Sequence, residues 1–166
     1  ARALTVSTLT ELVAAARKEP GMIFYAANNR GSLPHLAAEL WRDRAGAPMT
    51  FVPNAGAAAG LQDILGGRVS VIVESVGALS GAIKAERVRA LAVASAARLP
   101  MYPDLPTVSE TTPGFTAVGW FVLSAPRNTP REVVHRIADD LRSVQAENGL
   151  LRRFEELGAV AGDAAG

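Results

Sequence analysis

The chain has 166 residues, a formal charge of +1, no cysteine and two histidines, and about half of it is apolar. That length supports one domain with a substantial core. The composition excludes disulfides, thiolate metal sites and cysteine nucleophiles, and it leaves too few histidines for a multi-histidine metal centre. Lys and Arg are interleaved with Asp and Glu, so no basic stripe points to nucleic acid. No apolar run approaches the roughly 20 residues of a membrane span, so direct membrane insertion is not expected. The chain opens on Ala1 rather than Met, and Ala1 and Gly166 read as cuts in something longer.

In chain order, Thr8-Leu9-Thr10-Glu11 fits a capping box, followed by an apolar face of Leu9, Leu12, Val13 and Ala16 that Pro20-Gly21 ends. Met22 to Tyr25 reads as a buried strand. It leads into Ala26–Ser32, a turn of small and polar residues, and then a helix to about Arg44 with Gly46 as its stop. Met49 to Val52 reads as a second strand, followed by Pro53-Asn54-Ala55-Gly56 and a helix that Gly66-Gly67 closes. Val69 to Val73 is a β-branched run suited to a strand covered on both faces. Ser75 is placed to cap the next helix, and Val88 to Val93 reads as a fourth strand. Four such alternations of helix and strand predict an α/β domain with a largely parallel sheet.

From Ser95 to Gly114 four prolines break any period, with one helical turn expected near Thr107–Glu110. Val118 to Leu123 reads as a returning strand. Thr129-Pro130-Arg131-Glu132 is a second capping-box match, opening a helix through Val144. Asn148-Gly149 interrupts it before a short last helix.

Ligands of parallel sheets sit beyond the carboxyl ends of the strands. Three loops fall there, each ahead of a helix start, where free backbone N–H groups and the helix dipole favour an anion such as a carboxylate. Their candidate ligand-binding residues are Asn28, Asn29, Arg30, Gly31 and Ser32, then Asn54 and Gly56, then Glu74 and Ser75. Arg30 is either an anion partner or a solvated loop cation. Glu74 is open to three roles: general base, acceptor for a ligand ammonium or hydroxyl, or cap of the next helix. His35 is expected to stay structural, bonding a loop carbonyl, since no nucleophile stands beside it. Trp41 and Phe154 are expected in the core, whereas Trp120 is suited either to the core or to a cleft edge. No catalytic residue, metal ligand or cofactor site is assigned, because no nucleophile elbow, phosphate loop, H-E-x-x-H or dinucleotide fingerprint is present.

Several phrases together are more specific. They are Tyr25 with Gly31-Ser32 and His35-Leu36-Ala37, then Glu39-Leu40; Val52-Pro53 with Gly56; Leu65-Gly66-Gly67; Arg89-Ala90-Leu91-Ala92-Val93; Pro103-Asp104-Leu105-Pro106-Thr107-Val108 with Glu110; Pro113-Gly114-Phe115; and Trp120 followed by Ala125-Pro126 and Thr129-Pro130. In this order and spacing the chain resembles the extracytoplasmic solute receptors of tripartite tricarboxylate transporters, the TctC or Bug family.

The resemblance implies a periplasmic, two-lobed (Venus-flytrap) binding protein. Such a protein closes on a small di- or tricarboxylate or acidic amino acid and delivers it to integral-membrane permease subunits. It implies that residues 1–118 are the second lobe, and that residues 119–166 are a return strand and helices that pack on a first lobe not matched here. A sensing module of the same fold is the alternative, and a hydrolase or lyase using Glu74 and His35 is a more distant one. The family's first loop usually reads serine-serine-glycine-asparagine-glycine, whereas here Ala27, Asn28, Asn29 and Arg30 precede Gly31. Asn54 and Ala55 replace a tyrosine and lysine, and Glu74 replaces an aspartate. The resemblance therefore leaves the ligand open.

Overall fold

The computed structural model describes residues 4–120, 122–146 and 148–159. The chain divides into two units, Ala1–Val118 and Gly119–Gly166.

The first unit is built on three parallel strands, β1 (Phe24–Ala27), β2 (Thr50–Pro53) and β3 (Val71–Ile72), in the order β2-β1-β3. Helix α1 (Leu9–Lys18) precedes them, α2 (Leu33–Ala45) links β1 to β2, α3 (Ala57–Leu65) links β2 to β3, and α4 (Val76–Lys84) follows β3. The two crossovers run in opposite directions across the sheet, from β1 out to β2 and then from β2 back past β1 to β3. Right-handed crossovers therefore put α2 and α3 on opposite faces of the sheet.

Strand parity shows both faces. Tyr25 and Ala27 are buried in one cluster with Leu12 and Ala16 of α1, Ala38 and Trp41 of α2, and Met49 and Phe115. Ala26, one residue out of phase, is buried outside that cluster. Its ladder partner Ile72 lies under α3, where a Cβ on Gly60 would come within 2.8 Å of the Ile72 Cδ1. Gly60 is thus required for close approach of helix and sheet.

Helix ends follow local chemistry. The Thr8 hydroxyl accepts the Glu11 N–H at 3.1 Å, but the returning Glu11 carboxylate takes the Ser7 N–H at 2.7 Å instead of that of Thr8. At the far end of α2, Arg17 of α1 donates to the Gly46 and Ala45 carbonyls at 3.0 and 2.7 Å, occupying acceptors the helix leaves unused.

Several expectations are corrected. β1 starts two residues later than Met22, because the Met22 N–H turns back to the Glu19 carbonyl and its side chain stays exposed. Only Val71–Ile72 of the Val69–Val73 run forms ladder pairs. Val88–Val93 is not a strand. It has a single parallel bridge, Val93 to Thr107, with the Val93 N–H bonded to the Pro106 carbonyl at 3.0 Å. Pro106 has no N–H with which to extend the pairing. The helical turn expected near Thr107 is present as a 3-10 turn over Val108–Glu110.

In the second unit α5 (Arg131–Gln145) and α6 (Asn148–Glu156) form as helices. Helix α5 has Pro130 as its N-cap, whose side chain carries no acceptor for a backbone N–H, so the Thr129 capping box is not realised. The interruption falls at Ala146, and Gly149 lies inside α6. Among the described residues of Val118–Leu123 there is no strand; Phe121 lies outside them. Their apolar character suits a strand, but β-propensity is realised only against a partner strand. Trp120 is 80% exposed, so it does not serve as core, whereas Trp41 is buried and Phe154 half-buried.

Candidate functional site

The strand register brings the three loops to one level. Ala27 is paired with Pro53 and Ala26 with Ile72, so one and two residues further on Asn28, Asn54 and Glu74 stand side by side beyond the carboxyl ends of β1, β2 and β3. The β1 carbonyls hold this alignment, Ala27 accepting the Asn54 N–H at 3.3 Å and Ala26 the Val73 N–H at 2.9 Å. All nine candidate ligand-binding residues lie on these three segments.

In the first loop the Asn28 Oδ1 accepts the Asn29 N–H at 2.9 Å, and the Asn29 carbonyl accepts the Ser32 N–H at 2.9 Å. Gly31 has φ 86°, a left-handed value that glycine adopts without strain. Its N–H donates to His35 Nδ1 at 3.0 Å. Ser32 is the N-cap of α2, its hydroxyl 3.4 Å from the His35 N–H, and Pro34 sits in the first turn. His35 is 6% exposed and grips the loop through an amide N–H, where the sequence suggested a carbonyl.

Sequence reasoning missed Phe51, the residue beneath this loop. Its ring lies 4.2 Å from the His35 ring and 5.4 Å from that of Tyr25, its ladder partner in β1. The exposed Arg30 guanidinium sits over the same ring at 5.3 Å, within cation–π range. An apolar residue in a strand gives no sequence signal of this kind. Tyr25 is fully buried, and its hydroxyl donates to the Glu39 carboxylate, which is paired in turn with Arg42 at 2.6 Å. Burial first, and then the bond to Glu39, push the Tyr25 phenol well above its ordinary value. It therefore stays a donor.

The second loop turns on Asn54, which is buried and accepts the Gly56 N–H at 2.9 Å. Gly56 then opens α3 without a side-chain cap. In the third loop the Glu74 carboxylate accepts the Ser75 N–H at 2.8 Å, and the Ser75 side chain does not cap α4. The loop amides of Asn29, Gly31, Ser32, Gly56 and Ser75 thus have internal acceptors, while the starts of α3 and α4 lack side-chain caps. Among the described residues no group of three His, Asp or Glu could hold a metal, and no helix is long and apolar enough to cross a membrane.

Residues 2–159 match the family described as tripartite tricarboxylate transporter family receptor, TctC. A curated relative, the UPF0065 protein in the tcbD-tcbE intergenic region of Pseudomonas sp. (strain P51), is 36% identical over 90% of this chain and 45% of its own length. Among solved structures, Rpa4515 of R. palustris with adipate is 32% identical with a TM-score of 0.92, covering 99% of this chain and 55% of that one. MatC (Rpa3494) from Rhodopseudomonas palustris with bound malate is 25% identical with a TM-score of 0.80, covering 95% of this chain and 54% of that one. The chain therefore spans about half the length of the relatives it matches, and its α/β fold is of the periplasmic-binding-protein type. The chain belongs to the TctC family of tripartite tricarboxylate transporter receptors, a family of solute-binding receptors rather than enzymes.

Proposed function

We propose that residues 1–118 are the second lobe of an extracytoplasmic, periplasmic receptor that closes on a small carboxylate for a tripartite tricarboxylate-type transporter. Residues 119–166 would contribute the return segment and helices that pack on the first lobe, and the permease subunits would be the membrane partners. The observation that carries this reading is the alignment of Asn28, Asn54 and Glu74 at one sheet edge, beside two helix starts without side-chain caps. Helix starts favour anions by roughly 0.3–1 kcal/mol each where exposed. The adipate and malate held by the two solved neighbours support a carboxylate as ligand class.

Isothermal titration of the complete receptor against adipate, malate, tricarboxylates and acidic amino acids tests it. Binding within that panel is the expected result. Silence across all carboxylates, with binding of a neutral solute, would overturn the reading. The 166-residue chain by itself should bind more weakly than the complete receptor, because ligand pockets bury most of the ligand's surface and one lobe offers about half the enclosure.

A further inference from the structure

The Gly31–His35 contact depends on protonation. Nδ1 of His35 accepts the Gly31 N–H at 3.0 Å, so the neutral ring must carry its proton on Nε2. A proton added to this imidazole goes on Nδ1, and two donors then face each other where one bond had been. The ring is 6% exposed and packed at a tilt against Phe51, with centroids 4.2 Å apart, so it has little room to turn away. The charged groups around it add to the effect. Arg30 of the same loop holds its guanidinium over the same Phe51 ring, so protonation puts a second cation against that ring. Glu39, one turn along α2, is the nearest compensating anion by sequence, but its carboxylate is engaged by the Tyr25 hydroxyl of β1 and by Arg42.

We propose that His35 is the positioning residue that sets the Asn28–Ser32 loop, and that it does so only as the neutral imidazole, so that acid releases the loop and lowers ligand affinity. This rests on the carboxylate-receptor reading for its effect on affinity, although the release of Gly31 does not depend on it. The sign follows from the bond. Loop order is present at pH values where the imidazole is neutral, and it is lost as pH falls and the competent fraction shrinks.

The test uses the complete receptor with adipate as probe, titrated from about pH 8 to about pH 5, the interval in which imidazoles change charge. His35→Asn is the decisive variant, because its side-chain oxygen can stand where Nδ1 stood, accept the Gly31 N–H and never protonate. The dissociation constant of the unaltered receptor should rise roughly tenfold or more over that range. Protonation of adipate itself raises both constants alike, so the ratio of the unaltered receptor's constant to that of His35→Asn is the quantity read, and it should rise several-fold toward the acid end. His35→Ala should bind more weakly than His35→Asn throughout. In parallel, the Gly31 amide resonance of the ligand-free receptor should move with acidification in the unaltered protein and stay fixed in His35→Asn. Identical pH profiles in the two proteins, or a Gly31 amide indifferent to pH, would overturn the proposal. If no carboxylate binds at any pH, the carboxylate reading fails, and the Gly31 amide alone decides whether His35 governs the loop.

Discussion

The Tyr25–Glu39–Arg42 chain gives a quantitative test of how the first strand is tied to α2. Tyr25 is fully buried and its hydroxyl has the Glu39 carboxylate as acceptor, while Glu39 also pairs with Arg42 at about one-third exposure. Glu39→Ala leaves a buried phenol donor without a partner, which costs roughly 1–3 kcal/mol. The lost ion pair adds only about 0–1 kcal/mol, because both side chains are partly solvated. Tyr25→Phe removes the donor itself and leaves Glu39 with Arg42 and water, so its cost is the net worth of one bond, about 0.5–1.5 kcal/mol. The double variant should then cost about 1–2 kcal/mol less than the two singles added together. Glu39→Gln, which keeps an acceptor oxygen, should recover most of the loss. Urea unfolding followed by Trp41 fluorescence in a Trp120→Phe background reads this unit, since Trp41 lies in its core and Trp120 is solvent-exposed. Additive single costs, or a Glu39→Ala no worse than Tyr25→Phe, would refute the reasoning.

The same phenol makes the fold sensitive to alkali. Its proton is held more tightly in the native state than the ordinary value of 10.0 would give, so this contribution is intact below about pH 10 and is lost as pH rises beyond it; Tyr25→Phe should flatten the loss in an alkaline unfolding series. Glu110 behaves oppositely: hydrogen bonds from Arg98 and the Thr107 N–H hold its carboxyl at about 2, below its ordinary 4.5. Its contribution is present above pH 4.5 and fades toward pH 2, and Glu110→Gln should remove that acid dependence from hydrogen exchange in the 95–110 segment. Gly60→Ala gains about 1 kcal/mol of helix propensity but sets a Cβ 2.8 Å from both the Asn54 Nδ2 and the Ile72 Cδ1. Overpacking of about 1–3 kcal/mol should outweigh that gain in urea unfolding, and a more stable variant would show that both side chains yield freely.

The helix starts and the loop positions were legible because their signals are local. Ser32 with Pro34 announces the start of α2, and Gly66-Gly67 announces the end of α3, with Gly67 in the left-handed conformation at φ 70°. The alternation of helix and strand then places Asn28, Asn54 and Glu74 after successive strands. Pairing is not local, and there the sequence misled. Val88–Val93 and Val118–Leu123 have strand composition, yet the first finds one bridge and the described part of the second finds none. Phe51 was invisible for a related reason, since nothing in a strand's own residues says that a histidine of α2 and an arginine of the first loop will pack on it.

Hydrogen-bond partners were the least legible feature, and they change what the loops can do. An anion seat at a strand end was expected to draw on free loop amides, yet those of Asn29, Gly31, Ser32, Gly56 and Ser75 already have acceptors. Each of these bonds is short-range and fixes the shape of its own turn, so the loops are set before any ligand arrives. A prearranged site spends less of its binding energy on ordering. On the proposed carboxylate reading, an incoming anion would have to use what the turns leave over: the uncapped starts of α3 and α4, the Arg30 guanidinium and the side-chain amides. Arg30 is the one cation among these, and Phe51 steadies it from below. On that reading the departures from the family pattern at Asn28, Asn29 and Arg30 would bear on ligand choice more than on loop shape, because the bonds that fix the loop run largely through Gly31, Ser32 and His35.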